Sequence, residues 1–208
     1  MSEGDRARAR RAFWRAALRL TLLFGLVFYG ADALTERRAW RVALYADWER
    51  AIPYWPAFYP VYFSVFALPW LLLARARSAP QVQRWERGMA LAIAIAGAVF
   101  VLLPAASGFA PQSAGAWQGW AWWTGVVAGR HNLLPSLHVA LSLLTLCALW
   151  PLGGPLLRGP LAGWFALLVA SVLFTHQHHL ADVLAGGLLG GLIGRGVIAG
   201  RGAHRPSG

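Results

Sequence analysis

Two short stretches hold five of the six histidines in this 208-residue chain. One is His131-Asn132-Leu133-Leu134-Pro135-Ser136-Leu137-His138; the other is Thr175-His176-Gln177-His178-His179-Leu180-Ala181-Asp182. In the second, His178 and Asp182 are four residues apart and would share one face of a helix. A carboxylate beside an imidazole fixes its tautomer, raises its basicity and stabilises its cation, which suits a nucleophile or a base. His179, three residues from Asp182, meets the same helical geometry, so on spacing alone the two histidines are exchangeable. In the first stretch, Pro135 suits the first turn of a helix. The open N–H groups beyond it, with the Ser136 hydroxyl, would make an anion site. His138 lies less than one turn further along, placed to protonate a leaving alkoxide. For His176 and His179 a hydrogen-bonded structural role is an equal reading.

Composition says what scaffold must hold these groups. The chain is 58% hydrophobic and 13% charged, where soluble domains run at about 45–50% and about 25%. With a mean hydropathy of +0.49, this excludes a soluble globular domain and a disordered chain and points to a membrane protein. The net charge of +11 comes entirely from arginine on the basic side; no lysine occurs. A pI of 11.4 would suggest nucleic acid in a soluble protein. Here the arginines flank apolar runs, so topology and lipid head groups explain them and no nucleic-acid partner is expected. The one cysteine, Cys147, excludes an internal disulfide and any cysteine-built metal centre.

Six segments are apolar enough to span about 30 Å of hydrocarbon, some of them short: 16–34, 55–74, 88–103, 136–150, 161–175 and 180–199. The expected fold is an all-α polytopic bundle of about six transmembrane helices. It forms a single membrane domain, with a basic tail at 1–15, a core at 40–195 and a C-terminal tail at 201–208. With both termini inside, fourteen of the 19 arginines fall on the inner side and five, Arg37, Arg38, Arg41, Arg50 and Arg130, on the outer. Both histidine stretches then lie at the outer face. The 35–53 segment mixes Trp40, Tyr45 and Trp48 with Arg and Glu and reads as an amphipathic helix in the interface. The 104–134 loop carries Trp117, Trp120, Trp122 and Trp123, either an aromatic belt or a roof over a lipid site. The first segment also has features of a cleaved signal, ending in Ala31-Asp32-Ala33. The Ala, Gly and Arg bias suggests a GC-rich bacterial genome, hence the bacterial inner membrane.

At the histidines the chain resembles the type 2 phosphatidic acid phosphatase superfamily, over roughly residues 40 to 195. That superfamily carries Pro-Ser-Gly-His, then Ser-Arg-x5-His-x3-Asp. Here these read Pro135-Ser136-Leu137-His138, and Ser171-Val172 followed after five residues by His178 and after three more by Asp182. Leu137 in place of Gly, the run from Asn132 to His138, and Asp47-Trp48-Glu49-Arg50-Ala51-Ile52-Pro53-Tyr54-Trp55-Pro56 look more like the inositol phosphorylceramide synthase branch. The family's Lys-x6-Arg-Pro element is absent, and Val172 stands where its second motif has Arg. Another cation must then neutralise phosphate. Arg130 is the first candidate, followed by a protonated His176 or an arginine of the 37–41 group.

The resemblance implies a lipid phosphatase or phosphotransferase acting on a lipid phosphate at the outer face. His178 would be the nucleophile that forms a phosphohistidine, Asp182 would orient it, and His138 would be the acid and then the base. Arg130, Asn132, Ser136 and His176 would bind substrate. Water as acceptor makes a phosphatase; inositol or another polyol makes a phosphoalcohol transferase. No metal or other cofactor is required. Two readings from other classes remain beside it. One is a bis-histidine membrane haem protein, with His138 and one of the 176–179 histidines as axial ligands. The other is a non-catalytic lipid-binding relative that has lost its phosphate cations.

Overall fold

A computed structural model describes residues 2–129 and 131–198. Arg130 and the 201–208 tail lie outside the described residues. Seven helices carry the described chain: α1 (Glu3–Glu36), α2 (Pro56–Arg75), α3 (Ala79–Leu102), α4 (Gln118–Val127), α5 (Leu137–Leu149), α6 (Pro155–Phe174) and α7 (Leu180–Val197). Five of them, α1, α2, α3, α6 and α7, are long and apolar enough to cross a membrane. A 3-10 turn extends α5 to Leu152, giving a shorter sixth apolar helix of about 24 Å. The protein is an all-α polytopic membrane bundle.

The sequence explains the departures from regularity. α1 holds 34 residues, about 51 Å at 1.5 Å each, so it reaches well past the hydrocarbon. The arginine-rich stretch from Glu3 to Arg15 forms its first turns, because Ala and Arg favour helix and Ser2 caps the start through the Asp5 N–H. Pro56, Pro60 and Pro69 divide α2 into alternating 3-10 and α turns. The fourth span starts at Leu137, one residue after the expected 136, and Pro135 lies outside its first turn. Ser136 is the N-cap, and its hydroxyl accepts from the Val139 N–H at 3.4 Å.

Two expectations are corrected. The 35–53 segment is not an amphipathic helix. α1 takes its first two residues, the chain then runs through an irregular stretch of turns and bends, and Val42 pairs with Ala105 before a 3-10 turn at Asp47–Ala51. The would-be polar face is engaged elsewhere. Arg41 donates to the Arg38, Trp40 and Glu36 carbonyls, Arg38 donates to the Val101 carbonyl, and Glu49 is buried. Nor is 104–134 all loop, since α4 occupies ten of its residues. Trp120 of α4 meets Phe63 of α2 with centroids 5.4 Å apart, while Trp122 and Trp123 are exposed.

Close approach of α5 and α7 organises the site. Gly186, Gly190 and Gly194 recur every fourth residue on α7, a small-residue seam. A Cβ at Gly186 would lie 2.4 Å from the Ser136 carbonyl oxygen, and one at Gly190 would lie 2.8 Å from that of Ala140. On the other side of the bundle, α3 packs on α1 where Gly97 admits Val27. Trp85 of α3 donates to the Thr145 hydroxyl of α5 at 3.0 Å in the core.

Candidate active site

The chain ends α6 at Thr175 and must reverse within four residues to start α7 at Leu180. His176 makes the reversal with φ +57, the left-handed position that commonly follows a helix C-terminus. Its N–H bonds the Leu173 carbonyl, and those of Gln177 and His178 bond that of Val172. His178 is thereby turned back against the first turn of α7. Its Nδ1 lies 3.5 Å from Asp182 Oδ2, both side chains being buried. Asp182 also accepts from the His179 N–H at 2.9 Å and so caps its own helix. Its carbonyl accepts from the Ser136 N–H at 2.9 Å, which ties the start of α5 to the start of α7.

His138, one residue into α5, therefore stands beside His178 with ring centroids 6.1 Å apart. Tyr62 of α2 stacks on the other side of His138 at 4.1 Å. Both histidines line a cavity of about 300 Å³ whose remaining polar groups include Asn132 and Gln177. Its walls are apolar side chains of α1, α2 and α5, and Tyr29 and Phe66 among them are exposed on the flank of the bundle. Asn132 donates to the Phe28 carbonyl at 2.6 Å, while its Oδ1 is buried and has no partner among the described residues. With Nδ1 of His178 turned to Asp182, Nε2 is the nitrogen left for the cavity.

His179 is held differently. Its Nε2 accepts from the Gly108 N–H at 3.0 Å, so Nδ1 carries the proton and faces Glu49 Oε2 at 3.2 Å. Phe109 lies between His176 and His179, nearly parallel to both, at 3.9 and 4.2 Å, and Tyr45 covers His179 at 4.5 Å. The His176 Nε2 bonds the Ile52 carbonyl at 2.9 Å. Burial pushes both rings below the usual imidazole range, and the Glu49 and Asp182 charges only partly restore His179. Burial pushes the Glu49 carboxyl up. The Leu180 and Ala46 N–H groups and His179 outweigh it and hold the acid below its ordinary value.

The structure thus brings His138, His178, Asp182 and Asn132 together. Ser136, fully buried and serving as a cap, and His176, stacked behind the turn, do not line the cavity. No arginine among the described residues lines it either. Arg41, from the 37–41 group, instead contacts His131, Nε to Nδ1 at 3.1 Å. Glu49 is the participant that spacing did not single out. A signal for it existed: Asp47 and Glu49 share one short turn, and a turn resting on the bundle buries only one of two such neighbours.

A model of the PAP2 superfamily matches residues 39–194. No curated protein and no solved structure matches the chain.

Proposed function

The chain belongs to the PAP2 superfamily, whose activity is of the phosphatase or phosphotransferase type, and from that premise we propose that it transfers the phosphoryl group of a lipid phosphate ester through His178. The observation that carries this reading is the pair of histidines at 6.1 Å across one cavity, with Asp182 behind His178. In the first step the His178 Nε2 lone pair forms a bond to phosphorus as the bond from phosphorus to the lipid oxygen breaks. His138 gives that oxygen its proton. In the second step the acceptor oxygen attacks the phosphohistidine, the N–P bond breaks, and His138 takes the acceptor's proton. Asp182 stabilises the positive charge on His178 throughout. A lipid reaches the cavity sideways, past the exposed Tyr29 and Phe66.

Charge on the transferring group needs a cation, since positioning and electrostatics do most of the work in phosphoryl transfer. Arg130 follows Gly129, which lines the cavity, and is the residue we assign to that task. The arginine-rich end of the bundle is assigned to the cytoplasm of a bacterial inner membrane and the histidine end to the outer face. Water is the acceptor in the simplest case. An inositol-type polyol is the acceptor if the look of the Asn132–His138 run carries through to chemistry.

Phosphate release from a panel of lipid monophosphates by the purified protein, beside His178→Ala, tests this reading. Loss of the nucleophile is expected to reduce turnover by about 10³-fold or more. Equal release by both proteins would sink the assignment of His178. Release by neither calls for lipid phosphodiesters with inositol or glycerol. Transfer there identifies a phosphoalcohol transferase, and its absence identifies a non-catalytic relative.

A further inference from the structure

The opposite end of the bundle holds a second cleft, of about 830 Å³. α1 contributes Arg6 and Arg10, one turn apart on one face. The end of α2 contributes Trp70, Leu73 and Arg75, and the turn to α3 contributes Arg77. Four guanidinium groups around one space repel one another. Among the described residues none of the four guanidinium groups has a hydrogen bond or an ion pair, whereas those of Arg8 and Arg19 on the same helix are paired with Asp5 and Glu86. The walls are firm. Ala9 and Phe13 on α1 are buried, Phe13 stacks on Trp85 at 5.8 Å, and Trp14 meets Trp70 edge-on at 5.6 Å.

Polarity changes along the cleft. Arg75 ends α2 and Arg77 lies beyond it, while Leu73 is about half a turn and Trp70 more than one turn deeper along the helix, with Trp70 exposed on the flank. A soluble polyanion has no use for that apolar wall; a lipid has. We propose that this cleft binds the head group of an anionic phospholipid, its phosphate among Arg6, Arg10, Arg75 and Arg77 and its acyl chains against Trp70 and Leu73. The site lies at the other end of the bundle from the histidines and does not depend on the reaction assigned to them.

The full chain in a neutral detergent is titrated with dioleoylphosphatidylglycerol, dioleoylphosphatidylcholine or inorganic phosphate, and the thermal unfolding midpoint is followed. Phosphatidylglycerol is expected to raise the midpoint saturably, and the other two to leave it unchanged. The variant Arg10→Gln/Arg77→Gln is expected to need at least tenfold more phosphatidylglycerol for half the effect. Arg11→Gln/Arg87→Gln loses the same charge outside the cleft and is expected to stay within twofold. Arg77→Gln alone, in the turn, guards against a folding defect and is expected to cost threefold or more. Equal weakening in the two double variants would show diffuse charge rather than a site and overturn the proposal. So would an unchanged titration in Arg10→Gln/Arg77→Gln, an equal response to phosphatidylcholine, or a shift reproduced by inorganic phosphate with the same dependence on the variants.

Discussion

Replacing Gly186 with Ala adds one methyl group where α7 meets the start of α5. Its Cβ would lie 2.4 Å from the Ser136 carbonyl oxygen, and contacts become ordinary only beyond 3.4 Å, so the deficit is about 1 Å. The opposing atom belongs to backbone, which cannot rotate aside, so the two helices must separate. Ser136 also donates its N–H to the Asp182 carbonyl, so the same displacement loosens the link that sets His138 beside His178. Overpacking of this kind costs about 1–3 kcal/mol, and a displacement of about 1 Å in a catalytic pair costs about 10²-fold in rate. Gly187→Ala is the matched control. Nothing lies within 4 Å of a Cβ there, and Gly to Ala within a helix is otherwise worth up to about 1 kcal/mol of stability. The expected result is opposite signs at adjacent positions. Gly187→Ala leaves turnover unchanged and the unfolding midpoint equal or higher, while Gly186→Ala lowers the midpoint and reduces phosphate release about 10²-fold. Thermal unfolding in detergent and the phosphate-release assay read the two effects separately. Wild-type values for Gly186→Ala in both would refute the argument that the α5–α7 approach holds the histidines in register.

Asp182→Asn retains an oxygen for the His179 N–H but loses the charge beside His178. Turnover is expected to fall by about 10²–10⁴-fold with little change in the unfolding midpoint, and a large drop in the midpoint would instead assign Asp182 to stability. Glu49→Gln leaves one acceptor oxygen where Leu180 N–H, Ala46 N–H and His179 Nδ1 had two between them. With that oxygen kept toward Leu180 and His179, the part-buried Ala46 N–H loses its acceptor, at a cost of about 1 kcal/mol; an unfolding midpoint equal to wild type would count against it. Acidification gives a further check. His176 and His179 have folded-state values below the ordinary 6.5, so the unfolded chain binds more protons just below that pH and stability falls as pH drops from about 7 toward 5. Glu49, held below its ordinary 4.5, adds stability above that pH, which is lost on further acidification through its folded value. His179→Gln is expected to flatten the first slope, as seen in unfolding midpoints measured across that range.

The chemistry-bearing residues were legible in the sequence because their signals are local. Hydropathy over about 20 residues marks the spans. Four-residue spacing pairs His178 with Asp182, and Pro135 marks a helix start to within two residues of the observed Leu137. Which of two adjacent histidines faces the cavity was not local information. His178 and His179 are both compatible with Asp182 by spacing, and the distinction comes from Gly108 and Glu49, residues 71 and 130 positions away from His179, which occupy both of its nitrogens. The same holds for the acids of the 47–51 turn. Asp47 and Glu49 look alike in sequence, yet their side chains are 95% and 5% exposed, because only one can point into the bundle. The 35–53 segment has the composition of an interfacial helix, but the Val101 carbonyl and the Val42–Ala105 pairing offer its polar groups better partners than water. Composition and short-range spacing therefore determined the membrane fold of this protein and pointed to the groups to which we assign the reaction. Which of those groups meet was decided by the tertiary structure, because contact across 40 residues depends on how closely two helices can approach, and at Gly186 that comes down to one absent methyl group.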